Sequence, residues 1–402
     1  MRLIERLAER AADRLDALWV VGGSVRDRLL GRSSADIDLI VPDAIEEARV
    51  FAKAARATFV LLDDGHGTAR VVSRDGSGEH LDFCEPQGTL DEDLRARDYT
   101  VNAVACTLAD WLGEQPRWLD PTGGLADLAH GRLRVTHDAA LTADPLRVLR
   151  GHRLAAGLDL AIDPETEALM RAALPGLAQV AAERIRTEWL HLLSLPTAPG
   201  ELLRCAELGT LGWLLPERPT DLADTLARGE TALAALAAER DFADWLAEGE
   251  TLALLRFGMM LPPDDTAPGP RELARRFALS RAEQRLLALT REPPSLSAPE
   301  LAATLHRLGL DLAAALLGGA ARGELGAETL AASLARLTAD LLPRWRQAPL
   351  VTGWDLQATL GYTPGPRFKL CLDEVRIAQI LGQVGEPEAA LALARKVMES
   401  DG

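Results

Sequence analysis

The character of the chain changes between residues 110 and 140, and this change limits the folds that it can adopt. Before residue 110, helical segments alternate with short apolar runs that are typical of strands: LWVV, DIDLIV, TFVLL, ARVVS and HLDFC. Beyond residue 140, Ala and Leu recur at helical spacing. We therefore predict an α+β protein, in which a head with a mixed β-sheet is followed by an all-helical neck, body and tail.

The composition is that of a soluble globular protein. The 402 residues include 44 Lys and Arg against 60 Asp and Glu, a formal net charge of −16 that argues against a basic nucleic-acid coat. Charges interrupt the apolar runs well before the roughly 18 residues that a membrane span needs. The N-terminal segment lacks the apolar core of a signal peptide, and the four Cys are too scattered for a disulfide scaffold or a zinc ribbon. We expect a cytoplasmic protein with no membrane partner.

The first candidate site follows the predicted strand LWVV. Gly22 and Gly23 stand where this strand turns into a helix, and glycines at such a turn let main-chain N–H groups approach an anion. Arg26 adds guanidinium donors for phosphate, and Ser24 with Asp27 has the form of a capping box. The pattern matches neither a P-loop nor GxGxxG, so a tight turn without a ligand is the alternative interpretation.

Three carboxylates form the second candidate site. In ADIDLIV the residue types alternate, which places Asp36 and Asp38 on one face of a strand. Neighbouring carboxylates repel unless a cation lies between them, and Mg²⁺ held by two carboxylates and substrate phosphates is a common arrangement. Asp82 lies in HLDFC and joins the pair if the two strands are neighbours. Solvated strand faces are the alternative.

These residues belong to a series of motifs that resembles the class II tRNA nucleotidyltransferases and bacterial poly(A) polymerases, members of the polymerase-β-like nucleotidyltransferase superfamily. The motifs follow in chain order: GGSVRDRLLGRSSADIDLIV, ARDYTVNA, DPTGGLADL, ADPLRVLRGHR and ERIR. Near the C-terminus, GWDL and GYTPGP are similar to the tail of many members, whereas residues 200–340 match no motif. We predict a catalytic head at 1–130, a nucleotide-selecting and RNA-binding neck at 131–195, a body at 196–340 and a tail at 341–402.

The resemblance implies roles for the residues of the head. Asp36 and Asp38 would hold Mg²⁺, and Asp82 would assist deprotonation of the tRNA 3′-hydroxyl. Arg97 and Asp98 would contact the incoming nucleotide, with Asp98 at its ribose. The triphosphate would be bound at Gly22, Gly23 and Arg26.

The resemblance also implies that Asp144 and Arg147 select the base in place of a template. Arg donates to a ring nitrogen and Asp accepts from an exocyclic amine, a combination that fits cytosine and adenine but not uracil or guanine. Arg150 and Arg153 continue the row of nucleotide contacts along the same helix. Asp144 before Pro145 also has the form of a helix N-cap with Pro at the first position.

Departures from the family pattern refine the prediction. Ala96, Tyr99 and Ala143 replace an Arg, a Phe and a Glu, and the connection from Asp82 to Arg95 is shorter than in CCA-adding and A-adding members. The short connection resembles the CC-adding subgroup. We therefore predict transfer of CMP from CTP to the 3′ end and acceptor arm of tRNA, with release of pyrophosphate, and a separate enzyme that adds the final A. The alternatives are a full CCA-adding enzyme using CTP and ATP, a poly(A) polymerase and a catalytically idle RNA-binding protein.

Overall fold

The computed structural model describes residues 2–262, 270–294 and 296–400. The chain forms two compact units, one of Met1–Val180 with Leu208–Thr210 and one of Ala181–Glu207 with Leu211–Gly402. Strands lie in the first unit, and the described part of the second unit is helical. The predicted α+β class is confirmed, while the division at residues 130, 195 and 340 stays a prediction.

A six-stranded mixed sheet forms the centre of the first unit. Its strands are β1 (Trp19–Val21), β2 (Asp36–Ile40), β3 (Thr58–Asp63), β4 (Thr68–Val72), β5 (His80–Cys84) and β6 (Ala105–Thr107). The order is β3-β4-β5-β2-β1-β6, and only β2 and β5 are parallel neighbours. Two short strands, β7 (Arg132–Leu133) and β8 (Ala161–Ile162), form a separate parallel pair, so the predicted neck contains this pair besides its helices.

Nine helices surround these strands in the described part of the first unit. They are α1 (Leu3–Arg10), α2 (Gly23–Leu29), α3 (Ala44–Ala55), α4 (Leu90–Ala96), α5 (Leu108–Leu112), α6 (Gly124–Ala129), α7 (Ala140–Ala143), α8 (Arg147–Leu158) and α9 (Pro164–Ala173). The core lies between the sheet and α3, where Phe51 and Phe83 pack with their ring centroids 6.1 Å apart. The alternation predicted for β2 is confirmed, because Ile37 and Leu39 are fully buried in this core.

The start of α2 differs from the predicted capping box. Gly22 has a φ of +75°, and the helix begins directly after it at Gly23. Ser24 therefore lies inside the helix, where its hydroxyl donates to the carbonyl of Val21 at 3.2 Å instead of capping the helix. Asp27 binds Arg26. The capping-box prediction is wrong because the positive φ of Gly22 starts the helix earlier than Ser24 could.

The second unit consists of packed helices. They are α10 (Ala182–Ser194), α11 (Ala198–Glu207), α12 (Thr210–Leu214, whose first residue belongs to the first unit), α13 (Leu222–Ala237), α14 (Arg240–Leu246), α15 (Thr251–Met259), α16 (Pro270–Arg276), α17 (Arg281–Arg291), α18 (Ala298–Leu308), α19 (Leu312–Ala321), α20 (Ala327–Arg336), α21 (Leu342–Trp345), α22 (Gly353–Ala358), α23 (Pro366–Ile380) and α24 (Pro387–Glu399).

Small residues let these helices approach closely, as the alanine-rich composition predicts. All ten residues of α19 are buried, and a Cβ atom added at Gly318 would lie 1.7 Å from the carbonyl oxygen of Thr290 on α17. The stretch Ala298–Ala321, which contains α18 and α19, is long and apolar enough to cross a membrane by length and composition alone, but 56% of its apolar 18-residue window is buried inside the structure. Such burial is typical of a core helix in a soluble protein.

Candidate active site

A cavity of about 360 Å³ in the first unit brings most of the predicted site residues together. Polar and charged side chains dominate its wall. The predicted residues that line it are Gly22, Gly23, Arg26, Asp36, Asp38, Arg97, Asp98, Asp144, Arg147, Arg150 and Arg153. Five more lining residues were not predicted: Ser24, Asp27, Ser34, Asn102 and Leu154. Asp82 is the one predicted site residue that does not line this cavity.

The register of β2 and β5 brings the three predicted carboxylates close together. The strands are parallel neighbours, with Asp38 opposite Asp82 and Asp36 opposite His80. Ligand atoms of Asp36, His80 and Asp82 all lie within 4.8 Å of one another. Side chains on one face of paired strands are neighbours. The condition set by the sequence, that HLDFC pairs with the strand that carries Asp36 and Asp38, is therefore met.

The carboxylates favour the presence of a cation. Burial raises the pKa of Asp38 from 3.8 to about 6, and the neighbouring Asp36 adds to this shift. Burial likewise raises the pKa of Asp36, and His80 opposes this effect. A divalent cation between the two carboxylates would offset both the burial and the repulsion. Acidic groups here could therefore hold a metal ion, with ligand atoms of Asp36, His80 and Asp82 close enough to share one, while the assignment of Mg²⁺ to Asp36 and Asp38 stays a prediction.

Two basic side chains from β4 and β5 pair with this cluster. Arg70 donates two hydrogen bonds of 2.7 Å to the carboxylate of Asp82, one to each oxygen. The Nε2 atom of His80 lies 2.9 Å from Asp36 Oδ1. Asp82 is thus held as an ion pair, whereas the side chain of Asp36 is about half exposed at 53%. The role of Asp82 in deprotonation stays a prediction.

The glycine turn and Arg26 lie on one side of the cavity. A Cβ atom at Gly22 would lie 2.9 Å from Arg97 Nη1 and 3.0 Å from Asp38 Oδ2, and the positive φ of +75° at this position favours glycine. The guanidinium of Arg26 donates to Asp27 Oδ1 at 2.7 and 2.9 Å and to Asn102 Oδ1 at 2.6 Å. Arg26 is therefore fixed in place before any phosphate binds.

Asp98 and Asn102 connect the two sides of the cavity. The Oδ1 atom of Asp98 accepts from the main chain of Tyr99 at 2.7 Å and from the amide of Asn102 at 3.2 Å. Its Oδ2 atom lies 2.9 Å from Arg150 Nε. Asn102 thus links Arg26 on α2 to Asp98, which in turn binds α8.

Helix α8 presents the predicted selection residues. It begins at Arg147, three residues after Asp144, so the prediction of Asp144 as its N-cap is wrong. Asp144 instead ends α7 in an extended conformation, and its side chain accepts from the main chain of Leu146 at 3.3 Å. Arg147, Arg150 and Arg153 share one helix, as predicted. Because they are three residues apart, successive members of the row are neighbours on the helix surface.

Two motifs contain residues that stabilise the fold. The carboxylate of Asp120 accepts from the main-chain N–H groups of Gly123, Gly124 and Leu125 at 2.8–2.9 Å, which caps α6. On α10, Arg186 of ERIR pairs with Glu250 and with Glu283 on α17. These contacts explain the residue types without a ligand.

The sequence indicated some of the missed residues more clearly than others. Asn102 lies within the quoted motif ARDYTVNA, so its position could have marked it as a site residue. Arg70 and His80 carry no local signal, because their partners lie on neighbouring strands and depend on the register. Such side-chain contacts can be predicted only when the order and register of the strands are known.

Comparison with family models identifies both the head and the following segment. Residues 18–134 match the Poly A polymerase head domain. Residues 159–220 match the domain described as a probable RNA and SrmB-binding site of polymerase A.

Curated relatives align with nearly the whole chain. A CC-adding tRNA nucleotidyltransferase of Synechocystis sp. is 33% identical over 402 residues, covering 95% of this chain and 94% of the relative. One of Geobacter sulfurreducens is 35% identical over 404 residues, covering 94% and 91%. An A-adding tRNA nucleotidyltransferase of Deinococcus radiodurans is 33% identical over 433 residues, covering 94% and 95%.

Solved structures share the fold. The Thermotoga maritima CCA-adding enzyme complexed with tRNA superimposes with a TM-score of 0.71 at 21% identity, covering 99% of this chain and 94% of that one. A CCA-adding enzyme in complex with CTP gives 0.71 at 22% identity and covers 99% of both chains. The full-length alignments and the head-domain match establish that this chain belongs to the family of class II tRNA nucleotidyltransferases and bacterial poly(A) polymerases.

Proposed function

We propose that this protein adds two C residues to the 3′ end of tRNA, using CTP and releasing pyrophosphate. The observation that carries the proposal is the single cavity in which Asp36 and Asp38 face Arg97, Asp144 and Arg147. Carboxylates that can hold a cation lie there beside donors and acceptors suited to a base and a triphosphate. Nucleotidyl transfer needs these groups in one site, because it proceeds by positioning and charge neutralisation.

Asp36 and Asp38 would hold Mg²⁺ on the face of β2. When bound, Mg²⁺ supplies Lewis acidity that lowers the pKa of the attacking 3′-hydroxyl and neutralises phosphate charge. Asp82 lies beside them on β5 and is held in a fixed orientation by Arg70. In the proposed reaction, its carboxylate stabilises positive charge at the site and assists removal of the hydroxyl proton.

The nucleotide would lie between α2 and α8. The N-terminus of α2 and the guanidinium of Arg26 are suited to the triphosphate, while Asp98 can accept from ribose hydroxyls. Asp144 and Arg147 would read the acceptor and amine of cytosine, and a uracil would leave both groups unpaired. UTP would then bind more weakly than CTP because it leaves polar groups of the site unpaired, and not only because CTP makes additional hydrogen bonds.

The short connection after β5 supports CC addition over CCA addition. Only residues 85–89 separate Cys84 from α4, and Thr89 closes the connection with a capping box to Glu92. A longer flexible segment is the feature that the resemblance associates with accepting ATP.

The partners would be the acceptor arm and 3′ end of tRNA, recognised mainly through shape and backbone, because an RNA duplex offers little readable sequence to side chains. Residues 159–220, which match the RNA-binding domain, are candidates for part of this contact. We expect the reaction in the cytoplasm, with a separate enzyme adding the terminal A. Poly(A) synthesis and RNA binding without catalysis are the remaining alternatives.

The test offers the purified protein tRNA transcripts that lack their 3′ end, with Mg²⁺ and CTP, ATP or both. We expect two added nucleotides with CTP and no third when ATP is present. Products are resolved at single-nucleotide length on sequencing gels.

Other products distinguish the alternatives. A third nucleotide in the presence of ATP identifies a CCA-adding enzyme, and a long product with ATP alone identifies a poly(A) polymerase. Binding of tRNA without extension, equal in wild type and Asp36→Ala, identifies an RNA-binding protein. The matched control Asp63→Ala removes an exposed carboxylate at the end of β3, and we expect it to extend tRNA like wild type.

A further inference from the structure

The predicted base-reading residue Arg147 is held by main-chain groups. Its Nη1 atom donates to the carbonyls of Ala140 at 3.2 Å and Arg97 at 3.4 Å, and its Nη2 atom donates to that of Ala96 at 3.3 Å. Every hydrogen bond that this guanidinium makes to the described residues goes to a main-chain carbonyl. These bonds are longer than the usual N–H···O distance of about 2.9 Å and hold the side chain weakly. Position 143, directly before Asp144, is alanine and offers no carboxylate to Arg147.

A stronger contact holds the main chain of the same residue. The hydroxyl of Tyr99 donates to the carbonyl oxygen of Arg147 at 2.7 Å, and the Tyr99 side chain is fully buried. A short bond from a buried donor to the first turn of α8 fixes where that helix begins relative to the segment that carries Tyr99.

The surroundings of the hydroxyl are shaped to admit it. A Cβ atom at Gly151 would lie 2.1 Å from Tyr99 Oη, so the absence of a side chain there leaves the space that the hydroxyl occupies. Gly151 is one helical turn after Arg147 on α8. A phenylalanine at position 99 would fill the ring's space and leave this contact unmade.

Tyr99 also connects the two predicted nucleotide contacts. Its main-chain N–H donates to Asp98 Oδ1 at 2.7 Å, while its hydroxyl binds Arg147. One buried residue thus sets the distance between the predicted ribose contact and the predicted base contact.

We propose that Tyr99 is a positioning residue for base selection, whose hydroxyl holds the first turn of α8 so that Arg147 meets the edge of cytosine. The proposal rests on the proposed function, because it concerns how the same cavity discriminates CTP from UTP. A small displacement of Arg147 weakens bonds to a matched base, whereas uracil has few such bonds to lose. Loss of the hydroxyl should therefore lower discrimination more than overall affinity.

The test compares Tyr99→Phe with wild type in two assays. The first measures kcat/KM for CTP and for UTP in single-nucleotide addition to tRNA lacking its 3′ end. The second measures dissociation constants of CTP and UTP by equilibrium dialysis with Mg²⁺, without tRNA. We expect the ratio of CTP to UTP to fall about five- to tenfold in both assays, the effect of one hydrogen bond of ordinary strength, while KM for tRNA stays unchanged.

The chain offers a matched control and a rescue. Tyr362→Phe removes the hydroxyl of the other tyrosine, which lies 3.5 Å from Glu399 in the second unit, and should leave the CTP to UTP ratio unchanged. The double variant Tyr99→Phe with Ala143→Glu supplies a carboxylate beside Asp144 and should recover part of the lost discrimination. A role of Tyr99 in packing alone predicts no such recovery. Thermal melts check that each variant is folded.

The outcomes separate this proposal from the proposed function. A wild-type protein that prefers CTP in dialysis but extends no tRNA overturns the proposed function alone. An unchanged CTP to UTP ratio in Tyr99→Phe overturns the positioning role alone. A wild-type protein that binds CTP and UTP equally also overturns the positioning role, because Tyr99 would then support no discrimination.

Discussion

Gly22 and Gly318 both lie where a Cβ atom would be too close to a neighbour, but the neighbours differ. At Gly22 they are the ends of two charged side chains, Arg97 Nη1 at 2.9 Å and Asp38 Oδ2 at 3.0 Å. At Gly318 the neighbour is the main-chain carbonyl of Thr290 at 1.7 Å. The side-chain ends at Gly22 can shift, whereas the main chain at Gly318 can give way only if α17 and α19 move apart. Substitutions of residues that line the cavity should therefore change activity most, and those in the helical core of the second unit should change stability most.

The largest expected effect on chemistry comes from Asp38→Asn. Losing one of two neighbouring carboxylates should lower nucleotide addition by about 10³-fold, because the charge that holds the cation is gone. The same change should raise the melting temperature of the metal-free protein at pH 7, since a buried and repelled carboxylate is replaced by a neutral amide. Addition assays and calorimetry measure the two effects. Equal losses of activity and stability would contradict the comparison.

The largest expected effect on stability comes from Gly318→Ala. A Cβ atom 1.7 Å from a main-chain oxygen forces α17 and α19 apart, which should cost about 3 kcal/mol or more in the free energy of unfolding. The matched control is Gly200→Ala on α11, where nothing lies within 4 Å of the added atom. That control should stabilise the protein by up to about 1 kcal/mol. Denaturant titrations followed by circular dichroism measure the free energy of unfolding of both variants.

Arg70→Gln tests whether a pair at the edge of the site acts on chemistry. The substitution removes the two 2.7 Å hydrogen bonds that orient Asp82, so we expect kcat to fall about tenfold with little change in KM for CTP. Arg95→Gln on α4 is a control that removes an exposed pair with Asp91, and its kcat should match wild type. A rise in kcat for Arg70→Gln would mean that Arg70 restrains Asp82.

The smallest expected effect is a pH dependence of stabilisation by Mg²⁺. The pKa of Asp38 is raised from 3.8 to about 6, so the folded protein holds a proton there more tightly than the unfolded chain. The contribution of Asp38 to stability is therefore greatest below pH 4 and is lost as the pH rises through 6. Mg²⁺ competes with this proton and should raise the melting temperature more at pH 7.5 than at pH 5.5. The difference should shrink in Asp38→Asn, where only the raised pKa of Asp36 contributes to it.

Local patterns predicted much of the first unit. The alternation around Asp36 and Asp38 and the shared helix of Arg147 and Arg150 follow from periodicity and from motif order, whereas the sequence left open whether the strand that carries Asp82 is a neighbour of β2. Local patterns did not predict contacts that depend on how neighbouring strands are aligned. The contact of Arg70 on β4 with Asp82 on β5 is one example.

The start points of helices were also beyond local rules. Ser24 and Asp144 both have the residue type of an N-cap, but neither caps a helix. Near Ser24, the positive φ of Gly22 lets α2 begin one residue earlier, at Gly23. At Asp144 the chain first turns through Pro145 and Leu146, and α8 begins only at Arg147. In the second unit, composition predicted close helix packing, but which helices meet depends on glycines such as Gly318, whose neighbours the sequence does not identify.

The side chains that line the cavity carry equal numbers of opposite charges. Five arginines and five aspartates face it, and contacts such as that of Arg150 with Asp98 already join them. A nucleotide that binds here therefore replaces aspartates as the partners of arginines in a cavity with no net charge. It does not enter a cavity that is positive throughout. Salt screens the attraction between distant charges strongly. It has much less effect on the free energy of replacing one close ion pair by another. Nucleotide affinity should accordingly vary little with salt, while association of the acidic protein with a polyanionic RNA should vary strongly.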